Sequence, residues 1–105
     1  MKLYISSHGI GEIIEVPEHV VEKRNYYRKK FLDWLYDPKV KHKYRIEVYE
    51  ASGKKFVGVR YDAEAFVEWL NKKVLRNTKS AKIVETDLEA DIEAWEATGL
   101  PYIFF

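Results

Sequence analysis

The chain has no cysteine, one methionine and only three prolines and five glycines in its 105 residues. Without cysteine there are no disulfides, no thiolate nucleophile and no Cys-ligated zinc or iron–sulfur site. No run approaches the ~20 apolar residues that a membrane-spanning helix needs. The opening Met1-Lys2-Leu3-Tyr4-Ile5-Ser6-Ser7-His8 lacks the apolar core of a secretion signal. These absences point to a cytoplasmic protein with no membrane partner. His8-Gly9-Ile10-Gly11 has neither the third glycine of a dinucleotide fingerprint nor the Lys-Ser/Thr of a P-loop, so its glycines serve a tight turn. Histidine is scarce as well: His8, His19 and His42 show no HxxxH or HExxH spacing. Ser6, Ser7 and His8 side by side do not make a nucleophile–base pair, and Glu12 and Glu15 make no acid pair. The expectation is a non-enzyme with no catalytic residue, no metal and no cofactor. A site assembled from His8, His42 and a carboxylate is the enzymatic alternative.

Basic residues are missing altogether from Val84 to Phe105, where Glu85, Asp87, Glu89, Asp91, Glu93 and Glu96 give −6. Between Val21 and Arg60 the balance reverses, with twelve Lys/Arg against five acids. The net +1 of the chain hides this layout. Two faces of opposite potential follow if the segments fold apart, and such faces steer partners. The chain also carries sixteen aromatics. Each buries about 150–250 Å², so a few supply much of a small core and the rest suit a surface that binds.

Periodicity gives a single α+β domain over residues 1–105, with the order ββ-α-ββ-α-β-α-β. The sheet is mostly antiparallel, of four to five short strands, with two long helices and a short C-terminal helix. Leu3–Ile5 and Gly11–Val16 read as a hairpin, its second strand at the sheet margin. Pro17 opens a helix whose stripe Val20, Tyr27, Phe31, Trp34 and Leu35 runs to about Tyr36, where Asp37-Pro38 stops it. Tyr44–Tyr49 and Lys55–Tyr61 form a second hairpin around Ala51-Ser52-Gly53-Lys54, half-buried through Tyr44, Ile46 and Val48. Asp62 caps a helix with the stripe Ala63, Phe66, Val67, Leu70 and Val74, ending near Arg76-Asn77. A short strand Ala81–Val84 precedes a third helix, opened by the capping box Thr86-x-x-Glu89 and closed by Gly99. The apolar Tyr102-Ile103-Phe104-Phe105 reads as a last strand or docked tail, and a free edge there would allow a homodimer by strand pairing.

The segment Tyr4-Ile5-Ser6-Ser7-His8-Gly9-Ile10-Gly11-Glu12-Ile13-Ile14-Glu15-Val16 resembles the opening of the CarD/TRCF-type RNA-polymerase-interacting domain. Tyr44–Tyr49, Gly53-Lys54-Lys55 and Phe56-Val57-Gly58-Val59 are similar to that family's later strand pair, so about thirty residues take part. The resemblance implies a small Tudor-like barrel that grips polymerase through a strand edge. Residues 17–43 would then be a helical insertion, Ser6-Ser7 replace the usual proline, and the second half of the chain has no counterpart in the family.

The function expected from the residues is docking, without catalysis, on a macromolecular partner, a protein ahead of nucleic acid. Tyr26, Arg28, Lys29, Lys30, Tyr36, Lys41 and Lys43 are the candidate contact residues: the cations steer approach and the tyrosines anchor. A regulator or inhibitor fits, and a phage or mobile-element protein acting on host machinery is one form it takes. The alternative is a nucleic-acid-binding or transcription-associated module using the basic aromatic segment 21–60. Against it stands a pI of about 7.9, below the range of most such domains.

Overall fold

Alternation of apolar residues makes the first hairpin, β1 (Lys2–Ser7) and β2 (Ile10–Glu15), paired antiparallel from Lys2↔Glu15 to Ser7↔Ile10. The computed structural model describes residues 1–7, 9–59, 61–76, 80–89 and 92–105, and at 56, 57, 87, 89, 92 and 94 the backbone alone. The turn at His8, the helix end at Asn77 and the acid Asp91 lie outside the described residues. Two further strands join the hairpin. Strand β5 (Lys82–Glu89) pairs antiparallel with β2, and β6 (Tyr102–Phe104) pairs parallel with β1, giving the order β5-β2-β1-β6. The fold is thus α+β, on a mostly antiparallel four-stranded sheet. The expected sheet margin at β2 is corrected: β5 covers it, so β2 is an inner strand.

Leu3, Ile5, Ile14 and Ile103 point to one face of the sheet, where helices bury them. The long helix expected from Pro17 to Tyr36 is two: α1 (Glu18–Glu22) and α2 (Arg24–Tyr36). Lys23, at φ −107° and ψ 28°, breaks the helical path, and Arg24 Nη1 donates to Val21 O (3.0 Å), replacing a lost helix bond. Helix α3 (Ala63–Trp69) begins as expected, with Asp62 Oδ1 accepting from Ala65 N–H at 2.9 Å. It passes into a π-helical turn, Leu70–Val74, closed by Leu75 N–H on Leu70 O. Between the helices an aromatic cluster fills the core. Phe31 meets Phe66 (5.3 Å between ring centres), Trp69 (5.6 Å) and Phe105 (5.6 Å).

The capping box at Thr86-x-x-Glu89 does not start a helix. Both residues belong to β5, which is eight residues long where a short strand was expected, and Leu88 stands opposite Gly11. A ladder along β2 outweighs one cap, and helix α4 begins only at Ile92 (Ile92–Thr98). Gly99 closes it at φ +64°, as its sequence position required. Trp95 of α4 packs edge-on to Tyr102 (4.4 Å), which alternates with buried Ile103. Helix α4 therefore lies across the sheet from α2. Its exposed Glu93 and Glu96 are on the opposite face from the basic helix.

Strands β3 (Arg45–Tyr49) and β4 (Lys55–Val59) form a separate two-stranded sheet. The turn is tight, with Gly53 at φ +85° and Glu50 N–H on Lys54 O at 2.8 Å. Among the described residues no helix is long and apolar enough to cross a membrane.

Candidate docking surface

The β3–β4 hairpin has the alternation of a half-buried strand but not the burial. Tyr44, just before β3, is buried as expected, but Ile46 is 45% exposed and Val48 54%, so the expected half-burial is corrected at those two. The register sets Ile46 opposite Gly58 and Val48 opposite Phe56 on one face of the ribbon. A Cβ on Gly58 would meet nothing within 4 Å, so that part of the face is open. Two strands bury one face only when a third strand or a helix covers it. The chain on either side is instead a charged connector and the cap of α3. Arg45 anchors the arm at its base, Nη2 donating to Asp37 O at 3.0 Å. Glu47 and Lys55 pair at 2.9 Å; the lysine holds that carboxyl below its usual range and the carboxylate raises the lysine.

Beside the base of the arm runs a shallow apolar groove in two parts that share Tyr36. One hollow, ≈ 380 Å³, is lined by Leu35, Tyr36, Pro38, Arg45 and Val59. The other, ≈ 190 Å³, is lined by Arg28, Leu32, Tyr36, Tyr61 and Phe105. An arginine stands in each part. Tyr36, 59% exposed, forms the ridge between them.

The edges of the main sheet are built differently. Arg24 and Arg28, one turn apart on α2, donate through Nε to Tyr102 O (3.2 Å) and Phe104 O (3.0 Å) of edge strand β6. The edge considered for homodimer pairing is thus already occupied. The other edge strand, β5, carries two register irregularities against β2 and the acids Glu85 and Asp87. Bulges and charges blunt an edge.

The seven candidate contact residues fall into three groups rather than one patch. Tyr26, Lys29 and Lys30 share the outer side of α2, where Lys30 lies over the Tyr26 ring (5.6 Å) and Lys29 pairs with Asp33 (2.9 Å). Arg28 and Tyr36 meet in the smaller hollow, with Arg28 also over the Phe105 ring at 5.7 Å. Lys41 and Lys43 border a third concavity, ≈ 280 Å³, against α3 and the π turn. The ion pairs of Lys29, Lys43 and Lys55 run to Asp33, Glu68 and Glu47, none of them in the acidic segment 84–105.

Sequence reasoning singled out Lys41, His42 and Lys43 of that third concavity and missed its other members. Glu68 is its organising residue: Lys43 and Lys72 reach it at 2.8 Å each, and the Tyr44 hydroxyl donates to Oε2. Lys43, then Lys72, then Tyr44 hold its carboxyl down at about 2. His42 packs on Trp34 (4.7 Å) and near Tyr44 (6.0 Å), and its Nε2–H donates to Leu35 O at 2.8 Å. Of the enzymatic alternative, His42 and this carboxylate are here, whereas His8 lies outside the described residues. No motif marks the grouping, because α2, the connector and α3 bring it together across thirty-odd residues. The one signal was the alternation of Lys41 and Lys43 with His42 and Tyr44 where the second hairpin begins.

No family model, no curated protein and no solved structure matches the chain.

Proposed function

We propose that the protein works by docking on a protein partner through the β3–β4 arm and the groove beside it. The supporting observation is the arm itself: a ribbon with an apolar face, Ile46 and Val48, that its own chain leaves uncovered. Exposed apolar surface of this kind is retained where something binds it. Both main-sheet edges are guarded, so strand addition to the main sheet is not the route. The charge beside the arm defines the partner. Arg28 and Arg45 stand in the groove and Lys39 is exposed on the adjoining connector, which suits an apolar surface rimmed by acids. A small regulator or inhibitor acting in the cytoplasm without catalysis is the role this implies.

The test is affinity capture from the host lysate with the wild-type chain and with the double variant Ile46→Asp/Val48→Asp. Exposed positions tolerate such changes within about 0.5 kcal/mol, so the melting curve should stay put. A buried interface anchor is worth about 2 kcal/mol or more, so the specific partner should vanish from the capture. Retention of the same partner by the double variant refutes docking through the arm. A wild-type chain that light scattering shows to be a dimer, broken by the same variant, would replace the foreign partner with a second copy.

A further inference from the structure

We infer that the cleft between the end of α2, the Lys41–Tyr44 segment and the α3–π turn is a binding site for a small aromatic anion of the nucleoside monophosphate class. The site is separate from the docking groove. Its ≈ 280 Å³ is close to the lower bound of about 300 Å³ for ligand pockets.

Three features converge on that ligand. The first is charge. Lys41, Lys43, Lys72 and Lys73 border the cleft around a single acid, Glu68. Folding needs one cation to satisfy a carboxylate; here two lysines and a tyrosine hydroxyl already do so. Among the described residues Lys41 and Lys73 have no ion-pair partner, so the cleft carries an excess of three positive charges, the setting for a phosphate. Two of these lysines are adjacent in the π turn, and such widened turns gather at functional sites.

The second feature is the wall. Trp34 and His42 lie 4.7 Å apart at 31°, and His42 and Tyr44 6.0 Å apart at 38°, so three rings form a loose stack along one side. Trp69 lines the cleft as well. The Lys43 ammonium covers the Tyr44 ring at 5.4 Å, so a planar ring packs against the side of this aromatic wall, with the ammonium beside it. The third feature is an unspent acceptor. A carbonyl only accepts, so Nε2 of His42 carries the hydrogen that meets Leu35 O, and Nδ1 is left with its lone pair. Nδ1 is buried with no hydrogen-bond partner, a state that folded chains usually avoid. A ligand with an N–H beside its ring can satisfy it, and inorganic phosphate cannot supply the ring.

The test is a ¹H–¹⁵N titration of the full chain with AMP and CMP, alongside inorganic phosphate and adenosine. Saturable shifts at the amides of 41–44 and 68–73 are expected at millimolar nucleotide, with phosphate and adenosine each at least about tenfold weaker. Lys41→Glu/Lys73→Glu should weaken AMP by about tenfold or more at an unchanged melting temperature. Lys54→Glu, in the turn at the tip of the β3–β4 arm, should not change it. Ile46→Asp/Val48→Asp should also leave AMP binding intact, which separates this site from the docking arm. No saturable shift, equal binding of phosphate and AMP, full affinity in the Lys41/Lys73 variant, or binding of oligonucleotides alone would each overturn the assignment.

Discussion

Replacing Arg24 and Arg28 together by methionine should destabilise the protein and expose the β6 edge. Methionine keeps an aliphatic stem of similar reach, so the change removes mainly the two guanidinium donors. A hydrogen bond from a charged donor is worth about 1.5–3 kcal/mol. Arg24→Met also removes the Nη1 bond to Val21 O at 3.0 Å, and all three bonds lie at or near the surface, where water competes, so about 0.5–1 kcal/mol each is the fitting figure. The Arg28 guanidinium over Phe105 adds about 0.5 kcal/mol. The double variant should therefore lose about 3 kcal/mol, or about 12–24 °C in melting temperature for a domain of this size. Urea unfolding followed by tryptophan fluorescence measures the first quantity, and light scattering after gel filtration shows whether the bared edge self-associates. Lys29→Met/Lys30→Met, on the exposed side of the same helix, is the control and should stay within about 0.5 kcal/mol. A double arginine variant as stable and monomeric as the wild type would refute the clamp, as would equal losses in the lysine control.

Glu68 should give stability an acid limb. Its folded value, about 2, lies below the ordinary 4.5, so the stabilisation is complete above 4.5 and fades as pH falls towards 2. Discounted for solvent screening it is worth about 1 kcal/mol, and urea midpoints of Glu68→Gln should lose that limb between those pH values. Asn71 holds the start of β5 through two bonds to Ala81, Nδ2 to its oxygen and Oδ1 from its N–H, both 2.9 Å. Asn71→Ala should cost about 1–2 kcal/mol in urea and speed hydrogen exchange at the Ala81 amide.

What was legible in the sequence was the chemistry that acts within a few residues. Asp62 caps because its carboxylate reaches a nearby amide, and Gly99 closes α4 because a Cβ is costly at positive φ. The alternation in Leu3–Ile5 and Arg45–Tyr49 gave both hairpins. Where a distant segment decides, the local signal misled. Thr86 and Glu89 form a sound capping box, yet β2 offers a ladder that takes them into a strand. Ile46 and Val48 show the right period, but period does not reveal whether anything covers the face. Arg28 was read only as a cation that steers a partner, and nothing local marks the Nε–H bond it also gives to a carbonyl of β6. Of the lysine-bordered cleft only the Lys41–Lys43 side was legible, since its other walls come from two further segments with no shared motif.

The parallel ladder between β1 and β6 has a kinetic consequence. Tyr4↔Tyr102 and Ser6↔Phe104 join stretches separated by nearly the whole described chain, and β5 must reach back past both helices to find β2. Closing loops of that span exacts its entropy before the contacts return anything, which slows folding. The β1–β2 hairpin is made before both strands that flank it in the sheet, and must wait until translation delivers β5 and β6.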